Sequence, residues 1–455
     1  MESERVEVGL LLRRVRRMKH GALAFALFAS GLGAGCSAPS STSSAASEVD
    51  LYLNDATARR AELVASLVNP INAYSQLRLA HYDTGDSNDW SRLPESNPRV
   101  DVIQASELDA PGGVSVGGAV TSGAAALTLD AAALQGDPAA LLALGEAAFF
   151  RYPVEVSLPA ETATTSRATF ASYGFWTDDT HGAGGLVREE TPNGASVLAY
   201  TCATCHAASR GGSLVIGVGN DTLDLGKLIV DASPGTDPTI AGRALSWGPG
   251  RLDVTTTDGT EPVRIADTRP VQWLGYLHAD ATVRVNDLTS VAIRLETLII
   301  TSHALADRPP RVIALALATY VESLSSTLPL TPSTSPSELH GQALFQSTCT
   351  GCHAPPAFTG TPVPLDVVGT NPTIGLSPNR GTGTYAVPSL HGVSTRGPLL
   401  HDASLPSLAA MFDPSRTAPS YEGSRLGPGP VPGHLFGLDL SSSDRADLLA
   451  YLATL

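Results

Sequence analysis

Apolar positions along the chain gather into a few runs of helical period, set apart by long stretches with no period. The run NDATARRAELVASLV, residues 54–68, predicts one helix near the start. In GDPAALLALGEAAFFRYP, Asp137 stands directly before Pro138, a cap followed by a proline that suits the first turn, so a helix is expected from 138. In PPRVIALALATYVESLSS, Ile313, Leu317, Tyr320, Val321 and Leu324 recur at helical spacing and predict one buried face. Ser335-Pro336-Ser337-Glu338 reads as a capping box with proline at the first helical position. The final stretch, SSDRADLLAYLATL, puts Leu448, Leu449, Leu452 and Leu455 on one side of a last helix. Between these runs, 43 glycines and 33 prolines predict long irregular connections.

The first residues follow another logic. Arg13, Arg14, Arg16, Arg17 and Lys19 precede an apolar run from Ala22 to Leu32, too short to span a bilayer and shaped like an export signal. Met18 opens a stretch that already reads as a complete signal. The run closes on Gly33-Ala34-Gly35-Cys36, a cysteine after small residues, which reads as a lipoprotein-type cleavage site with Cys36 as the lipidated residue. The expected organisation is therefore a signal peptide over 1–36, a Ser-rich linker over 37–48 and an N-terminal region without chemical motif over 49–136. A first domain over 137–330, a Pro/Ser/Thr linker over 331–336 and a second domain over 337–455 complete it. The chain carries a net charge of −15 and becomes more acidic once residues 1–36 are removed. No basic stripe stands out, so nucleic acid is not an expected partner. The expected location is the periplasm, free or anchored to the outer membrane through Cys36, and that anchor is the only membrane contact expected.

Five cysteines sharpen the picture. With Cys36 set aside, the rest form two pairs, Cys202-Ala-Thr-Cys205-His206 and Cys349-Thr-Gly-Cys352-His353. Both have the form C-x-x-C-H, the attachment signature of c-type haem. Chance would supply one such pentapeptide in roughly one chain in a thousand of this length, and two far more rarely. Two thiols on one helical turn can add to the two vinyl groups on one edge of a porphyrin, and the adjacent histidine then gives the iron its proximal nitrogen. A zinc ribbon would use the thiols but gives no reason for a histidine after each pair. A redox dithiol would need a βαβ context, and a disulfide across so short a loop is a poor staple. Two covalently attached c-type haems are expected, with His206 and His353 as iron ligands. The fold class expected around them is mainly α: two tandem cytochrome c-type domains, long irregular loops and an N-terminal extension.

The two domains read as an internal duplication. GEAAFFRY from Gly145 pairs with GQALFQST from Gly341, GVGND (217–221) with VVGTN (367–371), and GYLHADATVRVNDL (275–288) with PLLHDASLPSL (398–408). From Gly341 to Cys349 is 8 residues, whereas from Gly145 to Cys202 is 57. The first copy thus carries an insertion of about fifty residues before its motif, and long segments beside a cofactor are commonly functional.

These motifs, with the helix ALGEAAFFRYP, the segment VPSLHGVSTRGPLLHDAS (387–404) and the ending GHLFGLDLSSSDRADLLAYLATL, carry a resemblance to the bacterial di-haem cytochrome c peroxidase superfamily. That superfamily includes the di-haem oxidase that matures methylamine dehydrogenase and the di-haem rubber oxygenases. WGPGRLDV (247–254) looks more like the rubber-oxygenase branch than the plain peroxidases. The resemblance covers about residues 137–455. It implies an oxidoreductase in which electrons pass between two haems and peroxide or dioxygen reacts at one, fed by a small redox protein or other donor. A pure electron carrier and oxidative cleavage of an organic substrate are the alternatives.

The sixth ligand of each iron separates those readings, because an open position binds peroxide or dioxygen whereas two strong ligands favour electron transfer. Of three methionines, only Met411 lies beyond the signal region. His434, in Pro432-Gly433-His434-Leu435-Phe436-Gly437, is the stronger candidate for the second haem, with Met411 its alternative. A glycine before it and an apolar patch after it suit a ring entering a haem pocket, and the rubber-oxygenase-like branch has a histidine ligand in a similar place. His401 and His278 share a place in the repeat, which predicts a common structural bond. His303, His340 and His391 are expected at the surface or at helix caps. For the first haem no clear sixth ligand stands out. His181, in the insertion, is the best distal acid–base or ligand candidate, with Glu189 and Glu190 beside it, and Trp176 is expected to pack nearby.

Overall fold

The computed structural model describes residues 47–118, 120–253 and 259–455. The export signal and Cys36 lie outside the described residues, as does Val254 at the end of WGPGRLDV. The N-terminal region opens with α1 (Glu48–Asn54), α2 (Ala56–Ser66) and α3 (Ala73–His81). Asp55 starts α2 by accepting from the amides of Thr57 and Ala58 at 2.8 and 3.0 Å, and Asn72 starts α3 through Ser75 at 2.9 Å. Strand β1 (Val100–Val102) follows, and then α4 (Pro138–Arg151), capped by Asp137 with Pro138 in its first turn.

Next comes the inserted stretch. It holds β2 (Glu155–Val156), β3 (Leu186–Glu190) and β4 (Ser196–Tyr200), which with β1 form one antiparallel sheet in the order β1-β3-β4-β2. The register sets Val100 opposite Glu189, Leu186 opposite Tyr200, and Tyr200 opposite Glu155. The insertion is therefore ordered sheet closed at one edge by the N-terminal region, and β4 runs straight into the first C-x-x-C-H motif on α5 (Cys202–His206).

Helices α6 (Leu288–Ser302), α7 (Arg311–Ser323), α8 (Pro336–Thr348) and α9 (Ser442–Leu452) complete the frame. The capping box holds: Ser335 Oγ accepts from the Glu338 amide at 3.2 Å, and Glu338 Oε2 from the Ser335 amide at 2.9 Å. Sequence spacing gave α7 one buried face. Val312, Ala314, Leu315, Ala316 and Ala318 are buried as well, because α7 packs between α4 and α6 and leaves little of itself to solvent. Helix accounts for 39% and strand for 13% of the described residues, so the mainly-α expectation gives way to helices with several small sheets.

Residues Glu48–Leu455 pack as one unit with three principal apolar clusters. One surrounds Cys202 and Ala203 and draws in Leu63, Leu67 and Tyr74 from the N-terminal region. Another surrounds Cys349 with Phe345, Phe358, Met411 and Leu452. The duplication is visible in the packing. A Cβ on Gly145 of α4 would overlap the carbonyl of Ala316 and the side chain of Tyr320 on α7, and a Cβ on Gly341 of α8 would overlap Asp447 and Tyr451 on α9 in the same way. His278 and Ala281 have φ of 68° and 55°, and Leu400 and Ala403 have 66° and 60°. Each turn thus carries two left-handed residues three positions apart.

Candidate functional site

Helix α5 is short but firmly held. The hydroxyls of Thr201 and Thr204, both buried, donate to the carbonyl of Gly185 at the entry to β3, at 2.8 and 3.0 Å. Gly185 has φ of 63°, and a Cβ there would overlap the backbone of Ala203 and Thr204, so the close approach requires glycine. Trp176 is buried and its indole N–H donates to the carbonyl of Ala203 at 3.1 Å. It packs on the motif from the insertion side. Cys202 and Cys205 are free thiols, each pushed up to about 12 by burial. A reactive dithiol needs the opposite shift. His206 donates its Nδ1 proton to the carbonyl of Ala266 at 3.0 Å, and burial lowers its pKa.

The second motif repeats the arrangement. Cys349 caps α8, its thiol pushed up to about 11 by burial. His353 donates from Nδ1 to the carbonyl of Phe358 at 3.1 Å, and its pKa is lowered by burial. In both motifs a backbone carbonyl fixes the tautomer and leaves Nε2 with its lone pair, the arrangement a metal-bound imidazole normally has. The ring of His434 lies 6.4 Å from that of His353, centre to centre, with the planes at 59°. With metal–nitrogen bonds of about 2 Å, imidazoles on opposite faces of one iron stand about this far apart. His434 is pushed down to about 4 by burial and the neighbouring His353, and its Nδ1 is buried without a partner.

Arg416 holds His434 there. It is fully buried, and its guanidinium donates to the carbonyls of Met411, Val431, Gly433 and His434 at 3.0, 2.6, 2.8 and 2.8 Å. His434 itself has φ of 44°, and the preceding Gly433 lies so close to Gly369 and Thr370 that no side chain fits. Met411 sits in the apolar cluster around this motif, with its carbonyl engaged by Arg416.

A run of groups joins the motifs. Ala266, bonded to His206, begins a segment that leads to Trp273. The Trp273 indole stacks on His391 with centres 3.7 Å apart and planes at 18°. His391 meets Phe358 edge-on at 5.4 Å, and Phe358 is the residue whose carbonyl holds His353. His391 is therefore buried rather than superficial, because it fills the contact between the two halves of the chain.

The remaining candidates have other partners. His181 is bound to Asp178 at 2.8 Å and lies on Phe150, and no hydrogen bond or ring contact among the described residues joins it to His206. Glu190 pairs with Arg99, while the desolvation of Glu189 raises its pKa against the opposing pull of nearby His303. His303 caps α6 and bonds Asp307, and exposed His340 bonds Asp447. His401 stacks on Tyr385, whereas His278 accepts from Arg294 at 2.6 Å. Sequence reading passed over Trp273, Arg416, Arg294 and Glu155. Glu155 lies beside Cys205 and is pushed up to about 7 by burial. None belongs to a motif, although Trp273 falls within the stretch 222–274 that the repeat left unpaired.

Among the described residues no group of three or more His, Cys, Asp or Glu is arranged to hold a bare metal ion, so the zinc reading finds no donor set. No family model and no curated protein matches the chain. Among solved structures it is similar to a MauG-like protein associated with microbial copper homeostasis, at 19% identity over 46% of this chain and 78% of that one, with a TM-score of 0.32. It is also similar to the diheme peroxidase BthA from Burkholderia thailandensis, at 16% identity over 79% of this chain and 93% of that one, with a TM-score of 0.30.

Proposed function

We propose that the protein is an exported di-haem c-type cytochrome of the di-haem cytochrome c peroxidase kind, an oxidoreductase with unequal haem sites. Cys202, Cys205 and His206 would hold one haem, and Cys349, Cys352 and His353 the other. Haem at these sites supplies one-electron transfer and, where a face stays open, reaction with peroxide or dioxygen. The observation that carries the reading is the matched pair of motif histidines, of which only one meets a second imidazole. His434 stands opposite His353, held by Arg416, and closes that site to small molecules. Among the described residues no ring contacts His206, and the charged groups acting on it are Asp267 and Arg294. The first site is thus assigned the reaction and the second the relay, with Trp273 and His391 between them. An electron donor and peroxide or dioxygen are the partners this assigns. The acidic chain, the export signal and Cys36 support a periplasmic setting.

The alkaline pyridine haemochrome assay should return two haems per chain, and one or none overturns the proposal. In the oxidised protein, azide or peroxide should alter one spectral component and leave a low-spin component untouched. Two low-spin haems indifferent to peroxide, azide and carbon monoxide would instead make the protein an electron carrier. His434→Ala should convert the untouched component to a ligand-binding one while both haems remain. A far-red sulfur-to-iron band lost in Met411→Ala and kept in His434→Ala would assign the ligand to Met411.

A further inference from the structure

Asp267 is a buried carboxylate on which two buried arginines from opposite halves of the chain meet. Arg269 closes on it from two residues along, with Nε 3.0 Å from Oδ1 and Nη2 2.6 Å from Oδ2. Arg396 comes from the second half, its Nε 3.3 Å from Oδ2 as an ion pair. Each end of this contact is tied to a motif histidine. Asp267 follows Ala266, whose carbonyl accepts from His206. Thr268, next along, donates from its amide and its hydroxyl to the carbonyl of Gly217 at 2.8 and 3.0 Å. The Gly217 amide in turn donates to the carbonyl of His206 at 2.7 Å. On the other side, Arg396 donates from Nη1 to the carbonyl of Ser389 at 2.6 Å and from Nη2 to that of His391. Ser389 Oγ donates to the carbonyl of Ala357 at 2.8 Å, and the neighbouring carbonyl, that of Phe358, holds His353.

The same two segments meet a second time through the stack of Trp273 on His391. Trp273 lies a few positions after Asp267, and His391 a few positions before Arg396, so the ion pair and the stack form a two-point contact. The two points differ in kind. Stacked rings slide over one another at little cost, because their attraction is spread over the faces. A guanidinium fork on two carbonyls and a carboxylate is directional and tolerates little displacement. A buried ion pair adds little net stability, since desolvation offsets its attraction, and its best-attested use is to fix register. The charges also reach both motifs: Asp267 is among the groups acting on His206, and Arg396 among those acting on His353.

We propose that Asp267 and Arg396 are the positioning pair that sets Trp273 on His391, clamping the segment that serves the first motif to the segment that serves the second. The proposal rests on the assignment of two haems and of the route between them given above. The pair belongs to that route without lying on it: it fixes the contact that an electron crosses between the halves.

Laser photolysis of carbon monoxide from the half-reduced holoprotein gives the rate at which one electron redistributes between the haems. Spectroelectrochemical titration gives their midpoint potentials, and the haemochrome count is run on every sample. A count below two, or no response to carbon monoxide, in the unaltered chain defeats the proposed function and the route with it. Trp273→Leu is the control for the route: unchanged transfer there defeats the route, and the role of the pair falls with it. Where Trp273→Leu slows transfer, Arg396→Lys should slow it several-fold while both potentials hold, because the charge stays and the fork is lost. Arg396→Gln should slow transfer as far and also lower the potential of the second haem, since losing a nearby positive charge favours the ferric state. Adding Asp267→Asn to Arg396→Gln should slow transfer no further, because the clamp is already open. Unchanged transfer in Arg396→Lys and Arg396→Gln, each with two haems, overturns the clamp and leaves the haem assignment standing. A further slowing in the double variant as large as that of Asp267→Asn alone overturns it too, as does loss of haem from every Arg396 variant, the lysine included.

Discussion

Glu155 shows what one side chain contributes to the balance around the first motif. Its folded pKa of about 7 lies above the ordinary 4.5, so the folded state binds a proton that the unfolded chain has released between those values. Its contribution is therefore most favourable below pH 4.5 and is lost as pH rises towards 7. Glu155→Gln should gain on the order of 2 kcal/mol over the unaltered protein at pH 8, allowing for water reaching the half-buried carboxyl. It should gain nothing at pH 4, and denaturant melts at the two pH values check this. Legibility in the sequence divides at this same scale. The two C-x-x-C-H motifs were readable because their chemistry is local, compressed into five residues. Arg416 and Trp273 were not, since each acquires its role from groups brought together by the fold.

Among the elements, the duplicated helix crossing is the most exacting feature. Gly145 and Gly341 let α4 approach α7 and α8 approach α9 backbone to backbone, each beside a tyrosine one turn along. Gly341→Ala has nowhere to put its methyl except against the carbonyl of Asp447, so it should cost about 1–3 kcal/mol by overpacking. The same cost is expected for Gly145→Ala, measured by chemical unfolding. Ser335, Pro336 and Asp137 made the starts of α4 and α8 visible in advance, because caps are written in adjacent residues. The sheet was not visible. Its strands are two to five residues long, too short for a period of two to register, and its pairing joins Val100 to Glu189 across the helix between them.

For the whole molecule, the contacts argue against independent halves. Ser377 and Asn379 of the second half bond Glu261 of the first, and Trp273 stacks on His391. Heating should give one cooperative transition reported alike by far-ultraviolet dichroism and, with haem bound as proposed, by the haem signals. Two separated transitions would show that each half melts alone. The N-terminal region adds the longest ties. Asn69 and Asn72 both donate to the carbonyl of Gly381 at 2.7 and 3.2 Å, across 312 and 309 positions, and Tyr52 and Tyr82 donate to Glu296 at 2.9 and 2.7 Å. Such ties set an order of events. The strap bearing Asn69 and Asn72 is synthesised first but cannot be fastened until Gly381 has been made. Until then the strap's contribution of Leu63, Leu67 and Tyr74 to the apolar cluster around Cys202 is not locked in place, and closures over so many residues are slow. If Cys202 and Cys205 take a haem as proposed, the interval open for its attachment is timed by residues nearly two hundred positions downstream.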